Sequence, residues 1–267
     1  MEKKNLETVK FIQENSLAKV ILNRPEVHNA FNEVMIQELL DVFDYIKKME
    51  EIRVVILTGQ GKSFCSGADL NWMKKMKEFS YKENFNDALK LAELLYNIYS
   101  HPKPTIVKVN GAAIGGGTGL VSVCDIAVAS EKSIFGLSEV KIGLIPAVIS
   151  PYLIRRCGEG KIKEFFLTGE RIDAFKAKEI NLINYVVKEE QLEEFCNQKI
   201  NQLLSSGPRA IEHTKKAFVD IPQLKWDEIK NYTAEVIAKL RISEEGQEGL
   251  SSYIEKRKPY WNKSNKS

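Results

Sequence analysis

Four short runs rich in Val, Ile and Thr stand out along the chain: Ala18–Leu22, Val54–Thr58, Thr105–Val109 and Ile126–Ala129. Each is bounded by turn-forming or polar residues, the pattern of a strand. Between them the apolar period lengthens. Within Glu33–Met49, the residues Met35, Leu39, Val42, Phe43, Ile46 and Met49 recur at helical spacing and share one face. Asn32 is placed to cap that helix. Leu89, Leu91, Leu94, Leu95 and Ile98 predict a second helix over Phe85–Ser100, stopped by the prolines of "HPKP". Strands alternating with helices point to an α/β architecture. Past about Val187 the strand pattern fades. Glu189–Ser205, Pro208–Val219, Trp226–Leu240 and Glu244–Lys256 then read as helices, with Pro208 in a favourable first-turn position. The expected division is a core over residues 1–200 and a helical C-terminal region over residues 201–267.

Composition narrows the classes without choosing a function. At 267 residues with 43% hydrophobic and 28% charged side chains, the chain suits one large domain, or a large domain with an appendage. Only Lys263–Ser267 reads as disordered. The 39 basic and 36 acidic residues leave a net charge of +3, too balanced for a dedicated nucleic-acid binder. Cys65, Cys124, Cys157 and Cys196 form no C-x-x-C pair, so neither a zinc site nor a disulfide framework is expected. His28, His101 and His213 form no H-E-x-x-H, and no metal site is expected from them. The N-terminus lacks an apolar leader core, and no apolar run has membrane-spanning length. The expectation is a cytoplasmic protein with reduced thiols and with no nucleic-acid or membrane partner.

The most unusual stretch is "AAIGGGTGLVSVCD", Ala112–Asp125, which follows the run Thr105–Val109. It is not a dinucleotide fingerprint, because the last glycine of G-x-G-x-x-G would fall on Leu120. "GQGKS" at Gly59–Ser63 is not a phosphate loop, because Ile56 stands where its first glycine belongs. No G-x-S-x-G elbow occurs. Cys65 reads as a small buried thiol beside a turn rather than a nucleophile. A strand ending near Asn110, a glycine turn and a helix starting near Gly116 would leave free amides at the helix's positive end. Such amides stabilise a negative oxygen. "SFCSGADL", Ser63–Leu70, repeats the arrangement after Val54–Thr58. Two such turns on neighbouring strands could aim two N–H groups at one oxygen. Spacing alone leaves open that both are simply tight turns.

"NRPEVHNAFN" (Asn23–Asn32), "FCSGADL" (Phe64–Leu70), "VNGAAIGGGTGLVSVCDIAVAS" (Val109–Ser130), "FGLSEVKIGLIP" (Phe135–Pro146) and "LTGERIDAFKAKEINLIN" (Leu167–Asn184) resemble, in order and spacing, the enoyl-CoA hydratase (crotonase) superfamily. The resemblance implies an α/β spiral of ββα units with a C-terminal helical region used in trimerisation, giving a homotrimer or a dimer of trimers. It implies an acyl-CoA substrate, with coenzyme A entering as part of the thioester and no other cofactor bound. The amides of Ala68 and Gly116 would hold the thioester oxygen as it becomes an enolate. Ala68, Asp69, Leu70 and Asn71 would line the CoA site, and Arg24, Lys256 and Lys258 would approach its phosphates. Phe79–Lys90, polar and weakly patterned, would cover the acyl pocket.

Hydratases of this family carry two glutamates. The second is present as Glu139; at the first position stands Gly119. By itself Glu139 also reads as a surface glutamate paired with Lys141. One carboxylate has two oxygens and can both activate water and return a proton. Glycine at 119 removes bulk and negative charge, which would suit a substrate carrying its own carboxylate. With "LSEVKIGLIPAVISPY" and "FLTGERIDA", the pattern resembles the bacterial 3-methylglutaconyl-CoA hydratases of leucine breakdown. The alternatives are an enoyl-CoA isomerase, an ordinary short-chain enoyl-CoA hydratase, and a non-catalytic member that binds acyl-CoA or RNA.

Overall fold

The computed structural model describes residues 6–262; Lys263–Ser267, expected to be disordered, lie outside them. The strands are β1 (Val9–Glu14), β2 (Leu17–Leu22), β3 (Val54–Gly59), β4 (Thr105–Val109), β5 (Ala113–Ile114), β6 (Ile126–Ser130), β7 (Ile134–Gly136), β8 (Arg171–Asp173) and β9 (Tyr185–Val187). The helices of the core are α1 (Glu33–Lys48), α2 (Leu70–Met76), α3 (Tyr81–Tyr99), α4 (Gly116–Val123), α5 (Ser150–Cys157), α6 (Glu159–Thr168), α7 (Ala174–Glu179) and α8 (Leu192–Leu204). Three helices follow: α9 (Pro208–Asp220), α10 (Trp226–Ile242) and α11 (Glu244–Ile254).

The large sheet runs β1-β2-β3-β4-β6-β9, and the small one β5-β7-β8. In the large sheet only the β1–β2 hairpin is antiparallel; every other pairing is parallel. The units β4-β5-α4 and β6-β7-α5 each place their first strand in the large sheet and their second in the small one. This is the expected spiral. Burial explains why the central strands read so clearly. β3 is buried along its whole length. Its Val55 and Leu57 enter the main core, while Val54 and Ile56 meet Leu192, Cys196 and Ile200 of α8 on the other face. A strand covered on both faces becomes a continuous apolar run. β3 and β4 are parallel neighbours, with Thr58 opposite Lys108, so both end on the same edge of the sheet. The two turns of interest therefore start side by side.

Several sequence expectations need correction. β1 was not expected, because only one of its faces is covered and its apolar signal is diluted. α3 starts at Tyr81, not Phe85. Ser80 accepts from Glu83 N while the Glu83 carboxylate accepts from Ser80 N at 2.8 Å, a capping box that outweighs the weak apolar pattern there. Most of Phe79–Lys90 is therefore helix. The expected division at residue 200 falls inside α8, which packs on the sheet. Lys256 lies beyond α11 with a left-handed backbone, φ 54°.

α9 and α10 bury none of their residues, and α11 buries only Glu245 and Ser252. Polar contacts tie these helices to one another and to the core. The Glu245 carboxylate accepts from Arg209 N at 3.0 Å and Ala210 N at 2.8 Å, capping α9. Arg53 donates to the carbonyls of Ser206 at 2.6 Å and Trp261 at 2.8 Å. Among the described residues no helix is long and apolar enough to cross a membrane.

Candidate active site

The turns after β3 and β4 are bonded to each other. Phe64 N and Cys65 N both donate to Ala112 O, at 3.0 and 2.9 Å, and Ile114 N donates to Cys65 O at 2.9 Å. The glycines permit this approach. A Cβ on Gly67, whose φ is +96°, would lie 3.2 Å from Ile114 O, and one on Gly117 would overlap Cys65 O. Asn29 holds the first turn from behind. It is fully buried and donates to Gln60 O at 2.9 Å and Ser63 O at 2.8 Å.

Ala68 forms a parallel bridge with Phe31. Phe31 N donates to Gly67 O, and Asp69 N to Phe31 O, both at 2.7 Å. In such a bridge the bonds go to the flanking residues, so the N–H of Ala68 points away from Phe31. Gly116 is the first residue of α4, where backbone donors have no intrahelical acceptor. Among the described residues neither amide has an acceptor, and Ala68 is exposed. The Phe31 ring lies against Gly116, where an added Cβ would be 3.0 Å from it.

Glu139 lies at the junction of the two turns. It opens a short 3-10 turn, Glu139–Ile142, that follows β7. A Cβ built on Gly115 would lie 3.1 Å from Glu139 Oε1 and 3.9 Å from Gly67 Cα. The carboxylate thus rests beside Gly115, the residue before Gly116, and Gly67, the residue before Ala68, approaches the same glycine. It is half-buried, and Oε2 is buried with no hydrogen-bond partner. Burial pushes its pKa above the ordinary value, and only a backbone hydrogen bond opposes this. Among the described ion pairs none joins Glu139 to Lys141. The Lys141 side chain lies against Gly169 instead.

The other expected site residues divide into two groups. Ala68, Asp69, Leu70 and Asn71 form one short segment leading into α2, with Leu70 and Asn71 exposed. Asp69 Oδ1 accepts from Asn71 N at 2.7 Å and Trp72 N at 3.2 Å, capping α2. Its Oδ2 pairs at 2.8 Å with Arg24, which also donates to Ala30 O at 2.7 Å. Burial opposes the Asp69 charge, but Arg24 and these two amides together hold its pKa below the ordinary value. Arg24 is therefore engaged with the protein. Lys256 and Lys258 follow α11 and make no described contact with the Ala68–Asn71 segment. Their neighbour Trp261 is bonded to Arg53, which precedes β3, whereas the turn to Ala68 follows β3. A six-residue strand, about 20 Å, separates the two ends.

The space beside Gly119 is not open. A Cβ there would lie 3.2 Å from Ile149 Cβ and well inside 3.0 Å of Ile149 Cγ2. The expectation that glycine leaves room for a substrate carboxylate is thus corrected: Ile149, only 3% exposed, occupies that volume. Ile149, Phe31 and Asn29 were missed in the sequence. Asn29 and Phe31 sit within "NRPEVHNAFN" and Ile149 within "LSEVKIGLIPAVISPY", but nothing local to Ile149 signals its contact with α4. Burial pushes the Cys65 thiol up to about 12, and holds His101 down at about 4 between the carbonyls of Lys103 and Phe43. Among the described residues no group of His, Cys, Asp and Glu could hold a metal ion.

Known proteins share this architecture and sequence. The family model described as "Enoyl-CoA hydratase/isomerase" matches residues 12–264. A putative enoyl-CoA hydratase of Thermus thermophilus is 33% identical over 248 residues, covering 93% of this chain and 98% of that protein. The short-chain-enoyl-CoA hydratase of Clostridium acetobutylicum is 33% identical, covering 92% and 94%. The crystal structure of an enoyl-CoA hydratase from Shewanella pealeana superimposes with a TM-score of 0.92 at 41% identity, covering 96% of each chain. With a family model matched along nearly its whole length, and with the paired turns and Glu139 in place, the chain belongs to the enoyl-CoA hydratase/isomerase family.

Proposed function

We propose that the chain adds water to a 2-enoyl-CoA thioester through an enolate held by the amides of Ala68 and Gly116, with Glu139 as the acid and base. The observation that carries this reading is the Glu139 carboxylate beside Gly115, the residue before the unpaired Gly116 amide, with the turn that bears Gly67 and Ala68 packed against the same glycine. Two donors aimed at one developing oxyanion supply most of the stabilisation; losing one such donor typically costs about 3–4 kcal/mol. Glu139 takes a proton from water as the water oxygen bonds to the β-carbon. The π electrons move onto the thioester oxygen. The enolate then takes the proton from Glu139 at the α-carbon, so atoms and charge balance. A raised pKa suits a group that must both accept and return a proton.

The acyl group proposed is 3-methylglutaconyl, hydrated to 3-hydroxy-3-methylglutaryl-CoA. Its support is Gly119 and the Ile145–Pro151 stretch; the packing of Ile149 removes the argument from vacant space. The same packing favours a second reading. With no carboxylate at position 119, Glu139 alone suffices to move a proton between carbons, the chemistry of an enoyl-CoA isomerase. Turnover in ¹⁸O-labelled water separates the two. Hydration places the label on the β-carbon, and isomerisation leaves the product unlabelled. Much faster turnover of crotonyl-CoA than of 3-methylglutaconyl-CoA would contradict the proposed acyl group. A non-catalytic binder would show no turnover with any enoyl thioester.

The assembly proposed is a homotrimer or a dimer of trimers, with the exposed apolar side chains of α10 and α11 covered. Lys256 and Lys258 are proposed to meet CoA phosphates in that assembly, with Ala68–Asn71 along the rest of the cofactor portion.

A further inference from the structure

Gly119 is buried, one turn into α4 from Gly116. α4 has little freedom to move. Thr118 Oγ1 donates to Ala113 O and Ser122 Oγ donates to Gly119 O, both at 2.7 Å. Gly117 is pressed against Cys65 O. The opposing residue is no freer. Ile149 stands immediately before α5, where its carbonyl accepts from Leu153 N at 3.3 Å and Pro151 stiffens the first turn. The atom that would overlap a Cβ at 119 is Ile149 Cγ2. It is a branch methyl one bond from the Ile149 Cβ, on a side chain stiff at χ1. It cannot swing aside as the end of a lysine would.

We infer that Ile149 holds position 119 as glycine and so keeps a second carboxylate out of that position, because it fills the volume any side chain there would need. The inference rests on the enolate reading above and explains how the single-glutamate site is maintained. Gly119 and Ile149 act as a matched pair. Changing the glycine alone forces overlap, and changing the isoleucine alone leaves a cavity. Both proton transfers are thereby left to Glu139.

The first test is a thermal-unfolding cycle of wild type, Gly119→Ala, Ile149→Ala and the double variant. Alanine is the better helix former, so in open space Gly119→Ala would raise Tm. The expected result is a lower Tm in the wild-type background, with that loss abolished or reversed beside Ala at 149. Equal losses in the two backgrounds would overturn the inference. The second test compares Gly119→Glu/Ile149→Ala with Ile149→Ala by the pH dependence of kcat/KM on one enoyl thioester. A second ionisation in the double variant supports the inference, and identical profiles overturn it. An insoluble double variant also overturns it, since shortening residue 149 is held to be sufficient to make room. A wild-type chain without enoyl-thioester turnover would refute the proposed function instead, and the Tm cycle would still decide the packing.

Discussion

Glu139 combines an unpartnered buried oxygen with a raised pKa, and each has a measurable consequence. Glu139→Gln should lower turnover by about 10²–10⁴-fold, the usual contribution of a positioned acid or base, while binding of a CoA thioester persists. The stability effect has the opposite sign. Folding raises this carboxyl group above its ordinary 4.5, so the folded state favours the protonated form. The cost of burying the charge is absent below the unfolded pKa and fully present above the folded one. Glu139→Gln should therefore raise Tm at pH 7, and the gain should vanish near pH 4; an unchanged difference across that range would contradict the buried charge. Arg24 presents the converse case. Arg24→Met leaves the Asp69 carboxylate buried without its cation, and should cost about 1.5–3 kcal/mol by denaturant unfolding. Because Arg24 is tied to Asp69, beside Ala68, kcat should fall alike for acyl-CoA and for a truncated pantetheine thioester. A loss confined to the KM for acyl-CoA would return Arg24 to a phosphate-binding role.

At the level of elements, the proposed catalytic geometry depends on two turns locked together after adjacent parallel strands. Gly117→Ala puts a methyl group into Cys65 O, and overpacking of this kind should cost about 1–3 kcal/mol. Thermal unfolding and turnover should both fall; an active variant of wild-type Tm would show that the turns tolerate separation. What could be read beforehand follows the same physics. β3 and β4 were legible because both faces are buried, and α1 because its apolar face is long. The strands β5, β7 and β8 have only two or three residues and carry no periodicity of their own. The start of α3 was hidden because a capping box, not an apolar stripe, sets it. At the site, Ala68, Gly116 and Glu139 could be named from ordered motifs. The contact of Ile149 with Gly119 could not, because it joins helices thirty residues apart through shape alone.

At the level of the molecule, the C-terminal helices pose a solvation problem. Trp226, Ile242, Tyr253 and Ile254 are 80%, 81%, 86% and 76% exposed. So much apolar surface on α10 and α11 fits an interface. Sedimentation should show trimers or hexamers, and replacing Trp226, Tyr253 and Ile254 together by Ser should shift the chain toward smaller species; a wild-type monomer at all concentrations would contradict the proposed assembly. Whatever the assembly and whichever acyl group is used, the proposed function requires Ala68, Gly116 and Glu139 together to make an enolate. Hydrogen exchange at the α-carbon of a saturated acyl-CoA in D₂O, followed by NMR, reports on that step alone. The wild-type chain should exchange the α-hydrogens, and Glu139→Gln should bind the thioester yet exchange far more slowly. Binding without exchange in the wild type, or equal exchange in both, would contradict it.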